Sequence, residues 1–390
     1  MTRRAPPGLL ATLATLAVLG CRGRAPPPPL ECPILDCADD AATIDAGAPG
    51  EGEGEGVDGG VALALPRNLI LFLGDGMGAE QQRAARIFKN GGSAPLAFEA
   101  LPHAGCVHTT NASGGVTDSA AAATAMATGH KVDNGVIALQ TPGDGSELST
   151  VLELLQARGM SAGLVTTATP LTDATPAAFA AHAASRYDDE TIAAAYLHGS
   201  RPRVLMGAPS TSLTADLAAA AGYETASTAD ELAELAARAA GSAAPWCGVF
   251  DGAEPSLATR TRAALDELTL DPEGFFLLVE HEGTDNGGHA NDLAMVVDAV
   301  LELEAAVEVG LAFAAERDDT LILVTADHET GGLTVTESAP SEGVLPRHTF
   351  ARSGHTGADV PIYATGPGAE AVTGCFENTR IFSLLTDTAD

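Results

Sequence analysis

Residues 116–129 read VTDSAAAATAMATG, with Ser119 placed behind Asp118 and ahead of a run of small residues. Alanine has the highest helix propensity, so a helix is expected to start near Ser119 and to run to Gly129. Serine and aspartate both suit such a boundary, because their oxygens accept the unpaired N–H groups of the first turn. The same end of a helix attracts anions, since its free N–H groups and the positive end of its dipole point outward. Ser119 therefore reads locally either as a cap or as a hydroxyl displayed for chemistry. Acids and imidazoles elsewhere bear on the choice. Asp75 lies in GDGMG, Glu280, Asp285 and His289 lie in VEHEGTDNGGH, Asp327 and His328 lie in VTADHETGG, and His355 lies in SGHTG. Oxygen and nitrogen donors of this kind suit Zn²⁺, and harder oxygen sets suit Mg²⁺.

The elements that must position these residues are visible as apolar runs. NLILFLG precedes Asp75, FFLLVE carries Glu280, and TLILVT precedes Asp327. DVPIYAT follows His355. Helical patterns fill the intervals, most clearly from Asp292 in DLAMVVDAVLELEAAVEVGLAFAAE, and RVLMGAP, ADELAELAARAA and WCGVFDG continue the alternation. Such alternation predicts an α/β fold, a mostly parallel central sheet flanked by helices on both faces. Open parallel sheets bind ligands outside the carboxyl ends of their strands. One aspartate there reads as a helix cap; three strands ending in acids and imidazoles point to a site for several metals.

The remaining sequence sets the context. Residues 1–21 carry Arg3 and Arg4, an apolar stretch from Leu9 to Leu19 too short to span a bilayer, and then Gly20-Cys21. This reads as an export signal of lipoprotein type with Cys21 as the anchor point, so the protein is expected to be exported, periplasmic or at the cell surface. Residues 22–62 are rich in proline, glycine and acid and read as a tether. Residues 63–390 read as one catalytic domain. Within the tether Cys32 and Cys37 are placed to pair after export. With six cysteines in the chain and Cys21 lipidated, Cys106, Cys247 and Cys375 cannot all pair internally, which leaves a buried thiol. The chain has 390 residues, 45% hydrophobic and 18% charged, with a formal net charge of −32. That charge repels nucleic acid, and it repels phosphate unless bound metal supplies local positive charge.

The ordered set GDGMG, VTDSAAAATA, TDATPAAFAAHAASR, VEHEGTDNGGH, VTADHETGG and SGHTG resembles the alkaline phosphatase family over nearly the whole chain after the tether. The resemblance implies a three-layer sandwich and a phosphomonoesterase whose partners are small phosphate monoesters. It implies two Zn²⁺ and one Mg²⁺. Asp285, His289 and His355 would hold the first zinc, and Asp75, Asp327 and His328 the second, beside the Ser119 oxygen. Asp75, Thr175 and Glu280 would serve the magnesium, with Asp173 acting through a bound water. Arg186, thirteen residues beyond Asp173, matches the arginine that clamps phosphate, its planar fork suiting two phosphate oxygens. Asp118 would position Arg186. Glu282 competes with Glu280 for the third site, and His281 and His348 match no role and read as surface or supporting histidines.

Under that resemblance Ser119 attacks a monoester in line, forming a phosphoserine that water then cleaves. Two departures stand out. Asn286, at the phosphate end of the site, offers a hydrogen bond but no charge, where many relatives carry lysine, histidine or tryptophan. The segment between His328 and His355 is short for an insert that supports dimers, so both a monomer and a homodimer are compatible with it. Rival readings are a phosphodiesterase of the same superfamily and a lipid-anchored protein that binds phosphate or metal without chemistry.

Overall fold

The computed structural model describes residues 66–238, 243–337 and 341–387. The leader, Cys21 and the tether with Cys32 and Cys37 lie outside the described residues. Asn68–Gly74 (β1) is apolar after its first residue and buried at every position, as expected of a parallel strand covered on both faces. His103–His108 (β2), Ser161–Pro170 (β3), Val204–Ala208 (β4), Glu224–Ala226 (β5) and Trp246–Val249 (β6) follow, with Phe275–His281 (β7) and Thr320–Thr325 (β8). Glu329–Thr330 (β9), Leu333–Val335 (β10), His348–Phe350 (β11) and His355–Thr356 (β12) form two short antiparallel pairs, and Val360–Thr365 (β13) and Gly374–Glu377 (β14) rejoin the main sheet.

Ten strands make that sheet, in the order β14-β2-β13-β8-β1-β7-β3-β4-β6-β5. Every adjacent pair is parallel except those of β13, which runs antiparallel to both β2 and β8. The reversal of β13 matters for the site. A strand running backwards begins at the edge where its neighbours end, so the segment preceding β13, with His355, is delivered to the carboxyl edge of β1, β7 and β8.

Helices cover both faces. One layer contains Ala79–Asn90 (α1), and the other contains Ser119–Thr128 (α2), Val151–Ala157 (α3) and Ala174–Ala180 (α4). Asp189–Ala194 (α5) precedes β4, and Ala215–Ala220 (α6) and Ala229–Arg238 (α7) pack at the β6-β5 end. Leu257–Leu268 (α8), Gly283–Ala290 (α9) and Leu293–Ala314 (α10) join the layer of α1, and Arg380–Thr386 (α11) packs on α2 and α3. The expected α/β sandwich is the fold observed.

Local chemistry explains the two helices that matter most. All ten residues of α2 are buried, and their small side chains let it lie against α4 and α11. Its N-cap is Asp118, whose Oδ1 accepts the Ala121 N–H at 3.0 Å, so the aspartate meets the capping requirement and Ser119 is the first helical residue. In α10, Val296, Val300, Leu303 and Val307 repeat at helical spacing and face the sheet, and Gly310 lets Phe72 of β1 approach so closely that a Cβ there would lie 2.7 Å from its ring. Cys106 of β2 and Cys375 of β14 form a disulfide at the sheet edge, and among the described residues Cys247 is a buried free thiol.

Candidate active site and metal centre

The carboxyl edge of β1, β7 and β8 gathers the acids. β1 ends at Gly74, and the turn Asp75-Gly76 follows. Gly76 has φ +69°, and a Cβ there would stand 2.8 Å from the Asp285 Cα, so a glycine is required for both conformation and space. β7 continues through Glu280 to His281, and α9 then carries Asp285 and His289 one turn apart on the same face, 3.2 Å from each other. β8 stops at Thr325, and Asp327 folds back so that its Oδ1 accepts the Gly76 and His328 N–H groups at 3.1 and 2.9 Å.

Hydrogen bonds assign the imidazole tautomers. His289 Nδ1 lies 2.6 Å from the Ser353 carbonyl and His355 Nδ1 lies 2.9 Å from the Thr117 carbonyl, so each Nδ1 carries a proton and each Nε2 is the nitrogen free to turn to a metal. These two Nε2 atoms face each other at 3.3 Å, with Asp285 3.2 Å from one and 3.4 Å from the other. Thr330 donates its hydroxyl to Asp285 Oδ1 at 2.5 Å, and so accepts from His328 Nδ1 at 3.2 Å. The bare Nε2 of His328 then points at Ser119 Oγ (3.3 Å), Asp327 Oδ2 (3.2 Å) and Asp75 Oδ1 (3.5 Å). Imidazole nitrogens and carboxylates thus converge on the Ser119 hydroxyl.

That convergence fits bound metal. Asp75 Oδ1, Asp327 Oδ2 and Thr175 Oγ1 are buried without a hydrogen-bond partner, although buried polar atoms are nearly always paired. The ligand atoms of Asp285, His289 and His355 lie within 4.8 Å of one another, as do those of Asp75, Asp285 and His328. Asp285 thus borders both groups. The set expected for the third ion is less tightly gathered: among the described residues no triple of His, Cys, Asp or Glu containing Glu280 or Asp173 converges within that distance. Glu280 hydrogen-bonds the Thr166 hydroxyl, and Asp173 Oδ1 accepts from Arg186 Nη2 at 2.9 Å and from the Ala174 N–H at 2.6 Å.

Electrostatics point the same way. Burial, followed by repulsion from Asp327, Asp285 and Glu280, holds the Asp75 carboxyl far above its ordinary range. Burial and then Glu282 do the same to Glu280, and burial with Asp173 and Asp285 pushes Glu282 up to about 8. Burial would also raise Asp285, yet hydrogen bonds from His355 and Thr330 and the nearby His328 hold it down at about 2. Arg186 is held charged, against its burial, by Asp173, Asp118 and Asp75. Asp75, Asp118, Asp173, Glu280, Glu282, Asp285 and Asp327 gather around Arg186, and divalent ions would redress the imbalance.

Of the residues expected to contact phosphate, Arg186 and Asp118 lie together, whereas Arg186 and Asn286 line different clefts. Arg186 Nη1 lies 3.6 Å from Asp118, and its buried Nε has no partner. Asn286 is exposed at the rim of a cleft of about 680 Å³ that also touches Asp173, Glu282 and Met295. A second cleft of about 590 Å³ holds Arg186 and Tyr187, and the two share Pro170 and Asp173. Glu282 lines the first cleft. His281 is buried and pairs with Glu302 at 3.1 Å, whereas His348 sits in β11 against the Pro346 carbonyl. The sequence reading missed Thr330 and Thr166. The signal for Thr330 was its place two residues after His328, an i to i+2 spacing that puts two side chains on one face of an extended chain.

The chain is similar to known proteins over most of its length. A family model described as alkaline phosphatase matches residues 66–206 and 250–348. Alkaline phosphatase 4 of Bacillus subtilis is 30% identical over 82% of this chain and 88% of its own. Streptomycin-6-phosphate phosphatase of Streptomyces griseus is 32% identical over 83% and 90% respectively. The crystal structure of a cold-active alkaline phosphatase from Shewanella sp. superposes with a TM-score of 0.72 at 28% identity, covering 82% of this chain and 99% of that one.

Proposed function

Since this chain belongs to the alkaline phosphatase family, we propose that it hydrolyses phosphate monoesters by passing the phosphoryl group to Ser119 and then to water, at a site that takes two zinc ions and one magnesium ion. The observation that carries the reading is the Ser119 hydroxyl: freed from capping by Asp118, it stands 3.3 Å from the bare His328 nitrogen beside two unpartnered carboxylate oxygens.

Asp285, His289 and His355 would hold one zinc, and Asp75, Asp327 and His328 the other. Asp75, Thr175 and Glu280 would hold magnesium, with Asp173 reaching it through water. Divalent metal in such a donor set supplies the positive charge that lowers the pKa of a serine hydroxyl and neutralises phosphate oxygens.

The chain's own residues supply the rest. Ser119 loses its hydroxyl proton to solvent as its oxygen forms a bond to phosphorus, and the phosphorus–oxygen bond to the alcohol breaks in line, that oxygen taking up a proton from solvent to leave as the alcohol. Water then cleaves the Ser119–phosphorus linkage, releasing phosphate and restoring the hydroxyl. The Arg186 fork and the N–H groups at the start of α2 bind the oxygens that stay on phosphorus. Asp118 and Asp173 restrict how Arg186 turns. Asn286 donates an amide hydrogen bond at the rim, and the leaving alcohol departs through the clefts beside Asp173.

Ser119→Ala is the direct test, with zinc and magnesium measured in the same protein and turnover compared for a nitrophenyl monoester and the matching diester. The expected result is full metal content, unchanged stability and loss of monoester turnover by about three orders of magnitude or more. Retained turnover would sink the assignment, faster diester hydrolysis by the parent would favour a phosphodiesterase, and phosphate binding without turnover in the parent would favour a binding protein. We further propose export and anchoring through Cys21, with 1–21 removed as leader, 22–62 as tether and 63–390 as the catalytic domain; mass spectrometry of the mature N-terminus tests this.

A further inference from the structure

We infer that Arg260, which hydrogen-bonds none of the proposed ligands, is a positioning residue for the third metal site, acting by locking the bulged end of β3 against the end of β7. The inference rests on the three-metal reading above.

Arg260 lies on α8 and is 1% exposed. Its guanidinium donates only to backbone carbonyls: Nε to Pro255 at 2.8 Å, Nη1 to Thr166 at 2.7 Å and Thr167 at 3.1 Å, and Nη2 to Gly252 at 3.2 Å. Its plane rests over Phe250, 4.8 Å from the ring centroid. A buried guanidinium with no carboxylate among its hydrogen-bond partners is costly, so its position calls for a reason.

The reason is in the strand it grips. β3 pairs with β4 in register up to Val165, then the register shifts before Pro170, so the backbone from Thr166 leaves the ladder. Carbonyls released by such a bulge need other donors. Arg260 supplies two of them, at the two residues whose side chains meet β7 and its continuation. The Thr166 hydroxyl hydrogen-bonds Glu280, and the Thr167 hydroxyl accepts the Glu282 N–H at 3.4 Å. The chain leaving this bulge leads directly to Asp173 and Thr175. A single side chain thereby sets the height of Thr166 against Glu280 and the path of the segment that presents Asp173. Lysine cannot reproduce the contact set, because its ammonium is a point donor and the four carbonyls require a planar fork.

The test uses the full chain with zinc bound, titrated with Mg²⁺ by equilibrium dialysis and atomic emission, with turnover followed in parallel. Arg260→Lys keeps the charge, and Thr166→Val keeps the shape while deleting the hydroxyl on Glu280. In each variant that keeps its zinc, the Mg²⁺ concentration for half-occupancy should rise at least tenfold, in line with losses at groups behind metal ligands, and turnover should recover at excess Mg²⁺. Unchanged half-occupancy in Arg260→Lys would overturn the inference; should that variant lose its zinc, unchanged half-occupancy in Thr166→Val would do so. Parent protein that takes up only two metals per chain would overturn the three-metal reading, and this inference with it.

Discussion

Arg186 is held between two acids: its Nη2 donates to Asp173 Oδ1 at 2.9 Å while its Nη1 stands 3.6 Å from Asp118, the residue that caps the helix of Ser119. One carboxylate, Asp118, therefore touches both the proposed phosphate clamp and the helix of the proposed nucleophile. Asp118→Asn keeps an oxygen for the Ala121 N–H and removes the charge facing Arg186. It should leave the melting temperature near that of the parent and alter the KM for a monoester severalfold. Asp118→Ala should show the same kinetic change plus a loss of about 1 kcal/mol from the missing cap. Equal stability of the two variants in urea titrations would contradict the capping role.

Removing metal should make stability fall as pH rises. Asp75, Glu280 and Glu282 have raised pKa values in the metal-free fold, chiefly through burial and then mutual repulsion, with Glu282 at about 8. The metal-free folded state thus binds more protons than the unfolded chain above the ordinary glutamate pKa, near 4.5, and by linkage loses stability up to about pH 8. Melting of the chelated protein at pH 5, 6.5 and 8 should show a steady decline that metal reverses. A flat profile would mean that these acids are not the unbalanced charges of the site.

A second titration lies behind the α4 segment. His182 donates Nδ1–H to the Ala138 carbonyl at 3.0 Å, and its Nε2 meets Glu153 at 3.0 Å. Burial would lower its pKa, but the Glu153 contact and the carbonyl outweigh this and raise it. A raised histidine pKa contributes stability that is complete below the unfolded value, about 6.5, and is lost as pH rises through the folded value. His182→Gln should therefore cost more at pH 5.5 than at pH 8.5, by about 1 kcal/mol or less for a half-buried pair. Denaturant midpoints at the two pH values measure the difference, and a larger cost at pH 8.5 would reverse the argument.

Away from the site, Gly310→Ala places a methyl 2.7 Å from the Phe72 ring where α10 crosses β1. Overpacking of this kind costs about 1–3 kcal/mol. The expected result is a lower urea midpoint with unchanged kcat at low urea. A stabilised variant would show that the ring has room to turn.

The sequence by itself determined the fold class and most of the donor set. Both follow from short-range patterns: apolar runs buried on two faces read as parallel strands, and Asp, Glu and His just beyond them fall on the ligand-binding edge. Around Ser119 the local sequence allows both a cap and a displayed hydroxyl, because both uses need the same residue at the same helix boundary, and it is the distant acids, imidazoles and Arg186 that turn the reading to a nucleophile. Only the tertiary structure gives the cap to Asp118 and brings His328 from 209 residues away to the Ser119 oxygen. The roles of Thr330, Thr166 and Arg260 were hidden for a related reason. Threonine and arginine carry no pattern that distinguishes a residue behind a ligand from any other polar position. Their function comes from which lone pairs and carbonyls long-range packing leaves within 3 Å or so of them, and that is decided by the strand order, the reversed β13 and the bulge in β3.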